Sequence, residues 1–429
     1  MKFYSTNNKT NRSDLKNAVL QGLADDGGLY MPENIPVLPQ EFWQNLPDMT
    51  LAEIGFNVLK PYFCPDIAED EFRHLTKDAF NFITPLQAIN DNIYALELFH
   101  GPTLAFKDVG ARFLSRVMAA FTKTIDGGVK VLVATSGDTG SAVANGFYKV
   151  DGVEVYILYP KGLVSEVQEK QFTTLGANIH PLEVDGTFDD CQRLVKSAFM
   201  DKELKAKHFI TSANSINLAR FLPQMVYYFS AYAQALKSDN KEIVVSVPSG
   251  NFGNLTAGLV AYKMGLPIKR FIAATNINDV VPKYLESGVY KTKLSVATPA
   301  NAMDVGNPSN FCRIQELFNN DLERIKQVVS GFVCNDQTIL TTITEVYNKY
   351  GYVLDPHGAI GYKALMQNLA NGETGIFLET AHPAKFPEHV ERCINREVEQ
   401  AQRLKDFING NKSVQNISSE YSEFRKCIY

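Results

Sequence analysis

Three short segments of this 429-residue chain hold side chains able to do chemistry together. In the first, Glu97-Leu98-Phe99-His100-Gly101-Pro102-Thr103-Leu104-Ala105-Phe106-Lys107-Asp108, a strand end meets a Gly-Pro turn. Lys107 then stands between Phe106 and the apolar face of a following helix. Most lysines are solvated surface residues. One held in apolar surroundings has its ammonium destabilised, which frees the amine to form a Schiff base.

The second segment, Val244-Val245-Ser246-Val247-Pro248-Ser249-Gly250-Asn251-Phe252-Gly253-Asn254-Leu255-Thr256, runs from a buried strand through a glycine-bearing turn into a helix. Free amides and the positive end of a helix dipole then point at one spot, where a phosphate fits. Ser249, Asn251 and Asn254 add side-chain donors. Glycines placed there only for steric room give the same pattern. The third segment, Val131-Leu132-Val133-Ala134-Thr135-Ser136-Gly137-Asp138-Thr139-Gly140, is again a strand breaking into a polar loop before a helix. Its hydroxyls and amides suit a carboxylate or a second phosphate. Asp138 also reads as a plain helix N-cap. No Gly-Lys-Ser/Thr, G-x-G-x-x-G or G-x-S-x-G pattern occurs in these loops, so a P-loop, a dinucleotide fingerprint and a nucleophile elbow are all unsupported. A phosphate cradle, a carboxylate loop and a Schiff-base lysine suit a phosphate-bearing aldehyde cofactor acting on an amino acid; pyridoxal 5'-phosphate fits that description.

The elements that must position these loops follow from periodicity. Residues 1–92 read as mainly helical: Leu15, Val19 and Leu23 share a face, and Thr50-Leu51-Ala52-Glu53 is a capping box. From Ile93 onward strands and helices alternate, which predicts βαβ units and parallel sheets. A long helix is expected over Leu218–Leu236, with a boundary in the polar segment Lys237–Lys241. The expected organisation is a helical region (1–92), an α/β domain with the lysine and the Thr-Ser-Gly-Asp-Thr-Gly loop (93–240), and an α/β domain with the phosphate loop (241–429). Ligands of such sheets bind at the strands' carboxyl ends, in a cleft. The tail Gln415–Tyr429 is polar and expected to fray.

Composition narrows the class. The chain is 45% hydrophobic and 21% charged with a net charge of −5, and it has no basic block, which excludes nucleic-acid and anionic-membrane binding as general roles. Six scattered cysteines form no C-x-x-C pair, and neither a disulfide framework nor a metal site is expected. With no apolar signal core and no run long enough to span a bilayer, a reduced, cytoplasmic setting is expected.

The string His100-Gly101-Pro102-Thr103-Leu104-Ala105-Phe106-Lys107-Asp108 resembles the lysine segment of fold-type II pyridoxal-phosphate enzymes, and of the threonine synthase family in particular. Asp26-Gly27-Gly28-Leu29-Tyr30-Met31-Pro32, Thr135–Gly140, Ser249–Asn254, Gly306-Asn307-Pro308-Ser309-Asn310, Asp355-Pro356-His357-Gly358 and Glu379-Thr380-Ala381-His382-Pro383-Ala384-Lys385-Phe386 are similar to segments of the same family. They follow in order across nearly the whole chain, in the manner of its longer, bacterial and fungal branch. The resemblance implies a tryptophan-synthase-β-like α/β fold, two open parallel-sheet domains flanking a cleft. It also implies a carbon–oxygen lyase converting O-phospho-L-homoserine and water to L-threonine and phosphate, as a monomer or homodimer.

Residue by residue, the resemblance implies that Lys107 holds the cofactor and moves protons. Ser249, Gly250, Asn251, Phe252, Gly253 and Asn254 would bind the cofactor phosphate, and Thr380 would face the ring nitrogen. Asp138 stands where sibling enzymes carry an Asn beside the ring oxygen. Thr135, Ser136, Gly137 and Thr139 would receive the substrate carboxylate. Asn310 and Arg313, with Arg112 as a second choice, would take the substrate phosphate. The rivals are a phospholyase or a serine/threonine dehydratase on the same fold. A non-catalytic α/β binding module would have lost the lysine or the phosphate loop, and both are intact.

Overall fold

The computed structural model describes residues 1–64, 66–123, 127–237 and 242–429. The chain opens with three short strands, β1 (Phe3–Ser5), β2 (Arg12–Ser13) and β3 (Tyr30–Pro32), which form an antiparallel sheet in the order β2-β1-β3. Strands β4 (Leu86–Ala88) and β5 (Ile93–Glu97) begin a larger sheet. The chain then leaves to build a second one from β6 (Val129–Ala134), β7 (Val153–Pro160), β8 (Ile179–Asp185) and β9 (Phe209–Ser212). It returns to the first with β10 (Ile243–Pro248), β11 (Arg270–Thr275), β12 (Val329–Val333) and β13 (Thr374–Glu379), and ends with β14 (Gln415–Ser418) in the second. The orders are β12-β11-β10-β13-β5-β4 and β14-β8-β7-β6-β9. Only the β4–β5 edge is antiparallel in these two sheets. Strands such as Ile-Val-Val-Ser-Val-Pro and Thr-Gly-Ile-Phe-Leu-Glu are buried along their whole length, as parallel strands covered on both faces must be.

The observed topology corrects the expected partition. Ile93–Glu97, expected in the first α/β domain, pairs in parallel with β13 of the second. Conversely, β14 pairs with β8, so the C-terminus belongs to the smaller sheet. The tail therefore does not fray: Phe424 and Ile428 of the helix Tyr421–Ile428 are fully buried. Most of the boundary segment expected at Lys237–Lys241 lies outside the described residues.

The helical N-terminal region is present, with the Thr50–Glu53 capping box formed, but it also carries the small sheet of β1, β2 and β3. Strands of two or three residues leave almost no period to detect. The helix expected over Leu218–Leu236 is broken into Leu218–Phe221, a 3-10 turn Leu222–Gln224 and Met225–Leu236. Pro223 has no amide to continue the ladder.

Candidate active site

Lys107, the phosphate loop and Thr380 follow β5, β10 and β13, three adjacent parallel strands, and so emerge along one edge of the larger sheet. The Thr135–Gly140 loop emerges from the same end of β6 in the smaller sheet. The two edges meet through side chains: Lys107 Nζ lies 3.5 Å from Asp138 Oδ2, and Lys385 Nζ lies 2.6 Å from Asp138 Oδ1.

The lysine loop is fixed by its backbone. Phe106 N donates to Thr380 O at 2.8 Å, and His382 N donates to Leu104 O at 3.0 Å. Ala105 and Ala381 form a bridge between these segments. Asp108 turns back to accept from Thr103 N and Oγ1 at 2.9 and 2.6 Å. Two successive tyrosines on Met225–Leu236 then tie two loops together. Tyr227 donates to Phe106 O at 2.5 Å, and Tyr228 to Asn254 Oδ1 at 2.6 Å.

Lys107 is largely buried, and loss of water pushes its proton affinity below that of an ordinary lysine. Asp138 raises it in part, while Lys385 and Arg220 lower it further. For Asp138 burial works against charge, but Lys385 and Lys107 outweigh burial and hold the carboxyl well below its usual range. Asp138 is not the helix N-cap: that position is Gly137, at φ 139°, where a Cβ would lie 2.5 Å from Gln168 Oε1. Gln168 instead donates to Asp138 Oδ1 at 2.9 Å.

In the phosphate loop Phe252 adopts a left-handed φ of 61°, turning the chain into the helix Gly253–Lys263. Ser249 Oγ donates to Val247 O. Asn251 donates to Ser215 Oγ and accepts from Ser309 N, both at 2.6 Å. At Gly250 a Cβ would meet Ala302 O at 2.7 Å, so the loop is packed against the Asn301–Met303 turn. Two buried amide donors here have no partner, Asn254 Nδ2 and Asn310 Nδ2. Unpaired buried donors are costly, and an anion in the loop would satisfy them.

The other expected site residues divide. The Thr135 hydroxyl accepts from Gly137 N and Gly140 N at 3.0 and 2.8 Å, which spends it on its own loop. Ser136 is exposed and Thr139 half-buried. Arg313 is wholly buried, and its guanidinium donates to Tyr30 O, Ile216 O and Asn310 Oδ1. It braces Asn310. Arg112 donates to Asp78 O, Ala79 O and Asn81 Oδ1 at the end of the helix Glu69–Ala79. Both arginines were expected to take substrate phosphate, and the carbonyls they serve argue for structural bracing. Sequence reasoning singled out neither Arg220 nor Lys385. Arg220 is 3% exposed, donates to Ala213 O at 2.6 Å, and leaves Nε without a partner. Burial draws its proton affinity down to about 10.

Of the histidines of the quoted segments, His357 bridges two loops and His382 caps its own turn. His357 Nδ1 donates to Asp355 at 2.5 Å while Nε2 accepts from Ala302 N, and His382 Nδ1 accepts from Ala384 N. Among the described residues no cluster could hold a metal ion.

A shielded lysine beside a glycine-rich anion loop, at the carboxyl ends of two parallel sheets, is the arrangement of fold-type II pyridoxal-phosphate enzymes. Residues 80–378 match the family model described as "Pyridoxal-phosphate dependent enzyme". Residues 2–80 match "Threonine synthase N terminus", and residues 358–428 match "Threonine synthase, C-terminal". The chain belongs to the threonine synthase family. It is 48% identical over 394 residues to a threonine synthase of Haemophilus influenzae, covering 92% of this chain and 91% of that one. The crystal structure of threonine synthase from Escherichia coli superposes with a TM-score of 0.93 at 41% identity, covering 100% and 99% of the two chains. A PLP-bound threonine synthase from Brucella melitensis superposes with a TM-score of 0.95 at 36% identity, covering 100% and 98%.

Proposed function

We propose that the chain converts O-phospho-L-homoserine and water into L-threonine and phosphate, using pyridoxal 5'-phosphate. The observation that carries this reading is Lys107: a shielded amine with lowered proton affinity, beside a carboxylate, on the same sheet edge as a loop whose Asn254 amide, like that of the nearby Asn310, is unanswered. Lys107 would hold the cofactor, the amides of Gly250–Asn254 with Asn254 Nδ2 its phosphate, and Thr380 its ring nitrogen. Bound there, the cofactor supplies an electron sink that stabilises negative charge on substrate carbon.

The chain's own groups do the rest. Lys107 Nζ, once free, takes the proton from the substrate α-carbon and returns protons later. The Thr135–Thr139 loop, its amides set by the Thr135 hydroxyl, receives the substrate carboxylate. Arg220 is the better candidate for the substrate's phosphate, because its charge reaches Lys107 and its Nε is free. Asp138 carries its charge beside Lys107 in place of a neutral amide. The setting we propose is cytoplasmic, with the enzyme a monomer or homodimer and no nucleic-acid or membrane partner; among the described residues no helix is long and apolar enough to cross a membrane.

The test is the visible spectrum of the purified protein with pyridoxal phosphate, followed by product analysis with O-phospho-L-homoserine. A visible band lost in Lys107→Ala, with threonine and phosphate as products, is expected. 2-Oxobutanoate plus ammonia would make it a phospholyase, and a protein that takes up no cofactor would end the enzymatic reading.

A further inference from the structure

Asp138 is held unequally. Its Oδ1 receives the Lys385 ammonium at 2.6 Å and the Gln168 amide at 2.9 Å, whereas its Oδ2 has only Lys107 Nζ at 3.5 Å. A charge-assisted N–H···O bond normally spans ~2.7–2.9 Å, so Lys385 makes the tight ion pair to Asp138 and Lys107 only a long, weak one. Lys385 is itself sealed: its side chain is 0% exposed, and it also donates to Thr103 O at 3.0 Å. It stands in the Pro383–Lys385 turn, whose start is capped by His382 Nδ1. Thr103 O also receives Gln171 Nε2 at 2.9 Å, which fixes the lysine's second anchor.

We infer that Lys385 is a positioning residue that serves as the standing counter-cation of Asp138, so that Lys107 lies beside a carboxylate and is still an uncharged amine. The inference rests on Lys107 being the reacting amine of the proposed function. A lone carboxylate beside a buried lysine would take that lysine as its partner and keep it protonated. With Lys385 already neutralising Asp138, a proton on Lys107 would add a second, unpaired buried cation. Arg220, whose charge also lowers the proton affinity of Lys107, works in the same direction. The remaining titratable groups near Lys385 are Asp108, itself bound to Thr103, and His382, and burial disfavours the charged form of both. Tyr227, against Phe106 O, is kept neutral by burial. An uncharged amine keeps the lone pair that nucleophilic attack needs.

The test measures the ionisation of Lys107 in the full-length, cofactor-free chain, by competitive acetylation with trace acetic anhydride across pH and mass spectrometry of the Lys107 peptide. In the wild type the midpoint is expected below the ordinary lysine value of ~10.4. K385M, in which Lys107 becomes the sole counter-ion of Asp138, should raise it by at least about one pH unit, a tenfold loss of free amine at fixed pH. K385R keeps the cation and should stay close to the wild type. K385M/D138N removes the carboxylate as well and should return the midpoint to the wild-type value or below. In the cofactor-loaded protein, the pH at which visible absorption changes should move in the same direction in K385M.

An unmoved midpoint in folded K385M, or an equal rise in the double variant, would overturn the inference. Should K385M not fold, the wild type decides alone: a Lys107 midpoint at or above the ordinary lysine value overturns it. A chain that takes up no pyridoxal phosphate would defeat the proposed function while leaving this titration readable, so the two failures are distinct.

Discussion

Arg313 and Arg220 are both shut off from solvent, one bonded to Asn310 and one whose charge lowers the proton affinity of Lys107, yet the protein treats them in opposite ways. Arg313 spends its guanidinium on Tyr30 O, Ile216 O and Asn310 Oδ1, which ties β3 and the segment before Arg220 to the phosphate loop. Arg220 makes one bond, to Ala213 O, and leaves Nε open. The lysines divide similarly: Lys385 has a carboxylate and a carbonyl, while Lys107 has one long contact. A saturated buried cation is part of the frame; an unsaturated one is a cost the fold carries until a ligand arrives.

Breaking the unsaturated side should cost activity and little stability. The largest effect is expected for Lys107→Ala, which removes the covalent anchor and the proton carrier together. Turnover of O-phospho-L-homoserine should fall by at least ~10³-fold, within the usual reach of acid–base catalysis, with an almost unchanged melting temperature. Arg220→Met comes next. If Arg220 takes the substrate's phosphate, kcat/KM should drop by about 30-fold or more, from the ~2–5 kcal/mol lost when a buried charged contact is truncated. Stability should hold or rise, because a desolvated guanidinium is removed. Steady-state kinetics beside urea melts would check both, and an Arg220→Met protein that unfolds while its folded fraction turns over normally would reverse the assignment.

The saturated side should behave oppositely. Arg313→Met leaves two carbonyls and the Asn310 amide oxygen without donors. At ~1–3 kcal/mol for each buried group left unpaired, a loss of at least about 3 kcal/mol in unfolding free energy is expected. The KM of the fraction that stays folded should remain near the wild-type value. A large rise in KM with stability intact would mean that Arg313 touches substrate after all.

The sequence showed this division only in part. The lysine segment, the phosphate loop and the Thr135–Gly140 loop each follow a strand's carboxyl end, and a strand, a glycine turn and a helix start are local events with local signals. Lys107, Asp138 and the phosphate loop were therefore visible by position. Which arginine is saturated was not, because the partners of Arg313 at Tyr30 and Ile216 are distant in sequence and are backbone atoms, whose identity carries no signal. The pairing of β5 with β13 and of β14 with β8 was hidden for the same reason. Lys385 stood inside a quoted segment without an assigned role, because its ion pair to Asp138 crosses from one sheet to the other. The C-terminal helix was legible and overlooked: Phe424 and Ile428 are four apart, the spacing of one helical face, within a polar composition that suggested fraying.

Glu379 tests the limits of the comparison, because it too is buried with an orphan atom, Oε2, yet no ligand is expected there. Its Oε1 accepts from Asp355 N at 2.5 Å, and the adjacent Gly358 leaves no room for a side chain against Oε2. Burial first, then the charges of Asp355 and Glu97, push its carboxyl well above the ordinary range, so here the missing partner is a proton. The folded state holds that proton at pH values where the unfolded chain has released it. Its stabilising share is therefore complete below the ordinary Glu value of ~4.3 and declines as pH rises toward the folded value, by up to ~1.4 kcal/mol per pH unit. Glu379→Gln keeps the acceptor for Asp355 N and replaces the proton with an amide that does not titrate. We expect cofactor uptake to be unchanged, and stability at pH 8 to be equal or higher by about 1 kcal/mol. Urea melts from pH 5.5 to 8.5 should show a flatter profile than the wild type. Parallel profiles would mean that Glu379 is ionised in the fold, and that its orphan oxygen is an open site like Arg220 Nε.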